Sequence, residues 1–176
     1  MRQIPCKPSA LVVMAPVREG RQDQLNAALE AMGRGRDSPF ARVGSTHFAR
    51  FVLVPVLLDG DGEPVGPERS YLLFSADFDG WRWRWTRAVA KRIGRELDLI
   101  LGHCEGYSGS GDARKFQAFL RRYSVGVGFS VISYRATVAA IRSSLDLQRE
   151  LREFAAGARD LTPRELQGEW RRRFAA

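Results

Sequence analysis

"THFARFVLVPVLL" (46–58) and "SYLLFSADF" (70–78) decide how this chain folds. Each run is rich in β-branched and aromatic residues and ends at turn-forming ones, which is how strands read. The segment between them, "DGDGEPVGPE" (59–68), is a turn-rich connection, so the two runs form a β-hairpin with a long loop. The second run is apolar on both sides, with Leu72, Phe74 and Phe78 opposite Tyr71 and Leu73. A sheet built on it needs cover on two faces.

Upstream, "ALVVMAPV" (10–17) reads as a strand stopped by Pro16. Leu25, Ala28, Leu29 and Met32 recur at helical spacing within residues 20–33, and Gly33 stops the helix. Downstream, residues 81–103 turn helical. Trp85, Val89, Ile93, Leu97, Ile100 and Leu101 form one stripe, which Trp81 joins by spacing; Arg82, Arg87, Lys91, Arg92 and Arg95 lie off it. Asp112 can cap a short helix to about Tyr123. "VGVGFSVISY" (125–134) alternates as a fourth strand, and 137–156 is a long helix. A last helix starts at "TPRE", where Thr162, Pro163 and Glu165 form a capping box.

The order β-α-β-β-α-(α)-β-α is that of a ferredoxin-like split βαβ antiparallel sheet, an α+β fold with additional C-terminal helices. Helices cover one face of such a sheet. A second copy would cover the other, so a homodimer with a shared barrel-like core is expected. Residues 9–156 form this domain in the sequence reading, and 157–176 a basic amphipathic helix.

The stretches "THFARFVLV", "YLLFSADFDG" and "GHCEGY" resemble signatures of the dimeric α+β barrel superfamily. That superfamily includes antibiotic-type monooxygenases, small stress-responsive barrel proteins, chlorite dismutases and dye-decolorising peroxidases. The three stretches are closer to a largely uncharacterised bacterial group with this fold, and the resemblance runs over about residues 9–155. It implies a small-molecule enzyme, oxidoreductase-like or performing cofactor-independent proton transfer. The alternative is a non-catalytic accessory protein that engages an anionic partner or a membrane surface through Arg-rich helices. "WRWRWTRAVAKR" (81–92) is richer in Arg and Trp than the acidic, mixed helix start of that group.

Two histidines occur in 176 residues. On a regular strand His47 and Arg50 face opposite ways, and only a bulge or the strand's start lets them share a cavity. His47 can satisfy a backbone group at a strand edge while Arg50 pairs with a carboxylate such as Asp77. In the functional reading, Asp77 and Asp79 share a face and crowd each other's charge. With His47 and Arg50 they line a barrel end suited to proton transfer. His103 ends a helix, where a protonated imidazole is favoured as a cap; the resemblance adds a haem-ligand role, which is not favoured. A mononuclear metal site from His47, His103 and a carboxylate needs distances that sequence does not supply, and no metal is expected. The candidate residues are thus His47, Arg50, Asp77, Asp79 and His103. Cys104 as a nucleophile has only a neighbour in sequence for a base.

Lys and Arg total 28 against 20 acidic residues, a net charge of +8. This is either a solvated Arg-rich surface or the mark of an anionic partner. Two distant cysteines exclude a disulfide scaffold, and no apolar run reaches the roughly 20 residues of a membrane span. The apolar run near the N-terminus has strand rather than leader character, and a reducing, cytoplasmic setting is expected. "WRWRWTR" suggests base stacking, but if the core claims Trp81 and Trp85, nucleic acid is not expected. Leu166, Trp170 and Phe174, beside arginines, could dock on a partner, a membrane surface or a dimer mate.

Overall fold

A computed structural model describes residues 8–66, 69–126 and 136–174. Its elements are β1 (Pro8–Pro16), α1 (Gln22–Ala31), two 3-10 turns (Gly35–Asp37 and Pro39–Arg42), β2 (Thr46–Val54), β3 (Tyr71–Asp79), α2 (Arg82–Leu101), α3 (Ala113–Arg122), α4 (Val138–Gly157) and α5 (Pro163–Phe174). The fold is mixed α+β. Contacts divide the chain into two units, Met1–Val138 and Ala139–Ala176. The break falls at the start of α4, whereas the sequence reading put it after residue 156.

In the first unit the sheet runs β1-β3-β2, antiparallel throughout. The hairpin strands pair as their sequences imply, and β1 takes the other edge of β3. The outer edge of β1 is occupied as well: the Met14 N–H donates to the Tyr123 carbonyl (2.9 Å) and the Val125 N–H to the Val12 carbonyl (3.0 Å). The strand expected over 125–134 falls mainly on residues 127–135, outside the described residues.

Side-chain alternation sets the core. Leu72, Phe74, Ala76 and Phe78 of β3 are buried, flanked by Leu11, Val13 and Ala15 of β1. Ala49, Phe51 and Leu53 of β2 pack against the same cluster. All six stripe residues of α2 are buried on this face. Full burial of a Leu, Ile or Phe side chain contributes about 1.5–3 kcal/mol, so this stripe seats the helix. The Trp85 ring stacks on Phe78 at 4.3 Å, and its indole N–H donates to Thr46 Oγ1 at 2.9 Å. Asp112 caps α3 as the sequence implies, its Oδ1 accepting the N–H groups of Arg114 and Lys115.

Trp81 departs from the sequence reading. It precedes α2 with extended backbone (φ −80°, ψ 134°), and it is 69% exposed. Helical periodicity does not apply to a residue outside the helix, so Trp81 never joins the stripe. Farther along, α2 kinks at Ile93 (φ −135°, ψ 23°), next to Gly94. A Cβ on Gly94 would stand 2.4 Å from Ser110 Oγ, so the loop after α2 requires glycine there.

The opposite face of the sheet carries Val12 and Met14, Tyr71 and Leu73, and Val52 and Val54, all partly exposed. The second unit is a helical pair. Trp170 and Phe174 of α5 meet the Phe154 ring of α4 at 5.5 and 5.6 Å. The capping box forms, with the Thr162 N–H donating to Glu165 Oε2 at 2.9 Å. No helix among the described residues is long and apolar enough to cross a membrane.

Candidate functional site

The strand pairing breaks at one point. Thr46 pairs with Phe78 but Phe48 with Asp77, which leaves His47 as the extra residue of a β-bulge. Thr46 faces the core, where it meets Trp85, while Phe48 and Arg50 lie on the other face. The bulge brings His47 to Asp79, with Nε2 2.9 Å from Oδ1 and side chains only 5% and 12% exposed. Asp79 Oδ2 accepts the Val138 N–H at 2.8 Å. Both carboxylate oxygens are therefore engaged, and the pair fixes the mouth of the hairpin. Arg50 and Asp77 are diagonal neighbours on the open face: Arg50 stands opposite Ser75 and Asp77 opposite Phe48.

His103 lies elsewhere. The Arg18 N–H donates to its carbonyl (2.9 Å), and the Glu105 N–H to that of Pro16 (2.9 Å). The "GHCEGY" segment is thus a β-bridge along the edge of β1, centred on the Val17–Cys104 pair. Asp79 pairs with Pro8 at the start of β1 and His103 with Arg18 beyond its end. At about 3.3 Å a residue these points are roughly 30 Å apart. The five candidate residues form no single site, and the two histidines cannot ligate one ion. No three His, Cys, Asp or Glu among the described residues are grouped to hold a metal. Burial pushes the Cys104 thiol up to about 12, so it stays protonated at neutral pH and is no nucleophile. Tyr107 donates to Asp98 Oδ1 (2.5 Å), and the Ser110 N–H reaches the same oxygen (2.8 Å), tying the loop to α2. Burial and then the Asp98 contact raise the Tyr107 pKa strongly.

A cavity of about 710 Å³ opens beside His103. It lies between α1, the 3-10 turns and the second half of α2, not between sheet and helices. Met32, Pro39, Leu99 and Ile100 give it apolar walls, and Arg36, Asp37, Arg42, Glu96 and His103 its polar groups. Arg42 is paired with Glu96, whose carboxyl is held below its usual range by that bond. His103 titrates below its ordinary value. Burial is the largest cause, followed by the charge of Arg21; a hydrogen bond with the Leu99 backbone opposes, and Arg18 adds to the lowering. These causes together favour the uncharged imidazole over the protonated cap expected from its place at a helix end.

The sequence reading named His103 but missed Met32, Arg36, Arg42 and Glu96. These walls come from three separate segments, and no spacing within one segment could have joined them. No protein-family model, curated protein or solved structure matches the chain.

Proposed function

We propose that this chain is a ferredoxin-like domain of the dimeric α+β barrel type that binds a small organic acid beside His103 and transfers a proton there without a cofactor. The observation that carries the reading is the 710 Å³ cavity, apolar in its walls and ending on a neutral imidazole near two arginines. Ligand sites generally combine apolar walls with a few convergent polar groups. Arg36, on the cavity wall, is the cation that would meet a bound carboxylate, because Arg42 is already paired with Glu96. An imidazole kept neutral at pH 7 can take a proton from a carbon acid held against it, and the bound anion then stabilises the imidazolium.

Two features support the architecture. The β1-β3-β2 order, with Ser124 and Val125 on the far edge of β1, suits a sheet whose fourth strand stands beside the first. The apolar open face, with Met14, Leu73 and Val52 side by side, suits a second copy of the chain. Light scattering at micromolar concentration should give a dimer for the wild type and a monomer for Leu73→Arg. A monomeric wild type would refute the pairing.

The chemistry is tested in D2O with a panel of short-chain keto and aryl carboxylic acids, followed by proton NMR. The expected result is loss of one carbon-bound proton signal with the wild type, and a loss of rate of at least about 100-fold in His103→Gln. Arg36→Ala should weaken binding instead. Binding without exchange would leave an anion carrier and refute the enzyme reading; absence of binding would refute the site.

A further inference from the structure

Three tryptophans cluster at and just before the start of α2, and two are exposed: Trp81 is 69% and Trp83 52% exposed, while Trp85 is buried. Beside them a second cavity of about 290 Å³ opens toward α3, with Trp81, Trp83, Arg82 and Arg121 on its walls. None of the described residues on its walls is acidic. Gln117 fixes the geometry: its Nε2 donates to the Trp83 carbonyl (3.3 Å) and to Thr86 Oγ1 (3.1 Å), which locks α3 against α2. Arg121 follows Gln117 by one helical turn and so shares its face. The Arg84 guanidinium carbon lies 5.3 Å from the Trp83 ring centroid, so a cation already sits at one indole.

Two exposed indoles among arginines, one of them already carrying Arg84 on a face, call for a ligand that is flat, aromatic and negatively charged. We infer that this cavity takes a base-and-phosphate unit of single-stranded nucleic acid, the base stacked on Trp81 or Trp83 and the phosphate held by Arg82 and Arg121. A cavity of about 290 Å³ is room for one unstacked base, which a duplex does not present. Exposed Arg84, Arg87 and Arg114 continue the positive surface beyond the cavity and favour a strand over a free nucleotide. The sequence argument against nucleic acid rested on Trp81 and Trp85 lying in the core; Trp85 does, but the exposure of Trp81 leaves two indoles outside it. The site lies at the opposite end of α2 from His103 and does not depend on the chemistry proposed there.

The test is fluorescence anisotropy of a fluorescein-labelled oligothymidylate of about twelve nucleotides. Thymidine monophosphate is the competitor. Wild-type protein should bind, and affinity should fall steeply between about 50 and about 200 mM salt. Trp83→Ala and Trp81→Ala should each weaken binding roughly ten-fold. Arg121→Ala should weaken it and flatten the salt dependence. These side chains are exposed, and a far-UV spectrum checks that each variant folds. If the oligonucleotide does not bind, or binds the tryptophan variants as tightly as the wild type, the inference is overturned. Displacement by the mononucleotide at an equal nucleotide concentration would overturn the assignment to a strand and make the ligand a free nucleotide.

Discussion

The imidazole of His47 and the carboxylate of Asp79 meet at 2.9 Å across a β-bulge, and the same carboxylate takes the Val138 N–H. One acidic side chain therefore closes a sheet irregularity and holds a backbone donor far along the chain. Asp79→Ala removes the acceptor for both. Losing this contact at the buried ring alone costs about 1–3 kcal/mol. Urea unfolding should show a correspondingly lower midpoint, with a smaller loss in Asp79→Asn, which keeps one carbonyl acceptor. An unchanged midpoint in Asp79→Ala would show that the pair holds nothing. Because the cavity beside His103 is roughly 30 Å away, ligand binding there should survive Asp79→Asn.

Gly94 and Ser110 offer a second check on packing. The Ser110 hydroxyl is itself held, donating to Asp98 Oδ2 at 3.1 Å, so it cannot swing aside cheaply. Gly94→Ala should destabilise by about 1–3 kcal/mol, as overpacking does in tight cores. Ser110→Gly in the same chain should recover part of that loss. A double variant no more stable than Gly94→Ala would place the strain elsewhere.

Strand and helix limits were largely legible in the sequence because they rest on local periodicity. The β3 alternation and the α2 stripe hold residue for residue in the structure. What sequence could not supply was geometry between segments. The bulge at His47 depends on the register of β2 against β3, and the cavity on the approach of α1 and the 3-10 turns to α2. Trp81 was misplaced for a different reason: helical spacing was extended one residue past the helix start. The "GHCEGY" segment has a structural reason for its residues, since Cys104 is fully buried in a bridge and Tyr107 anchors to Asp98.

The lowered His103 pKa has a consequence for acid stability. Its ordinary value is 6.5, and the folded protein holds it lower, chiefly by burial and by Arg21. Below pH 6.5 the unfolded chain binds the proton first, so stability falls as pH drops toward the folded value and is fully present above pH 6.5. Lowered carboxylates such as Glu96 act at lower pH, below their ordinary 4.5. The melting temperature should therefore fall less steeply between about pH 7 and about pH 5 in His103→Gln than in the wild type. Equal slopes would show that His103 is not held neutral. A bound organic acid should shift the His103 titration upward in NMR, because its charge opposes that of the arginines.

The C-terminal unit supplies the last prediction. Leu166, Trp170 and Phe174 were expected to bury against the domain, its dimer mate or an outside partner, and two of them pack on Phe154. The Phe154 ring of α4 contacts Trp170 and Phe174 edge-on, and those two lie 4.7 Å from each other. Phe154 is thus the residue on which α5 docks. Such aromatic pairs contribute about 0.5–1.5 kcal/mol each beyond simple burial. Phe154→Ala should therefore loosen α5 selectively, and amide hydrogen exchange over Pro163–Phe174 should speed up at least about five-fold. Leu166→Ala, a change outside the ring cluster, should move exchange far less. If Phe154→Ala leaves α5 as protected as before, the helix is held by something other than these rings, and its arginines and Leu166 become the first place to look for a partner.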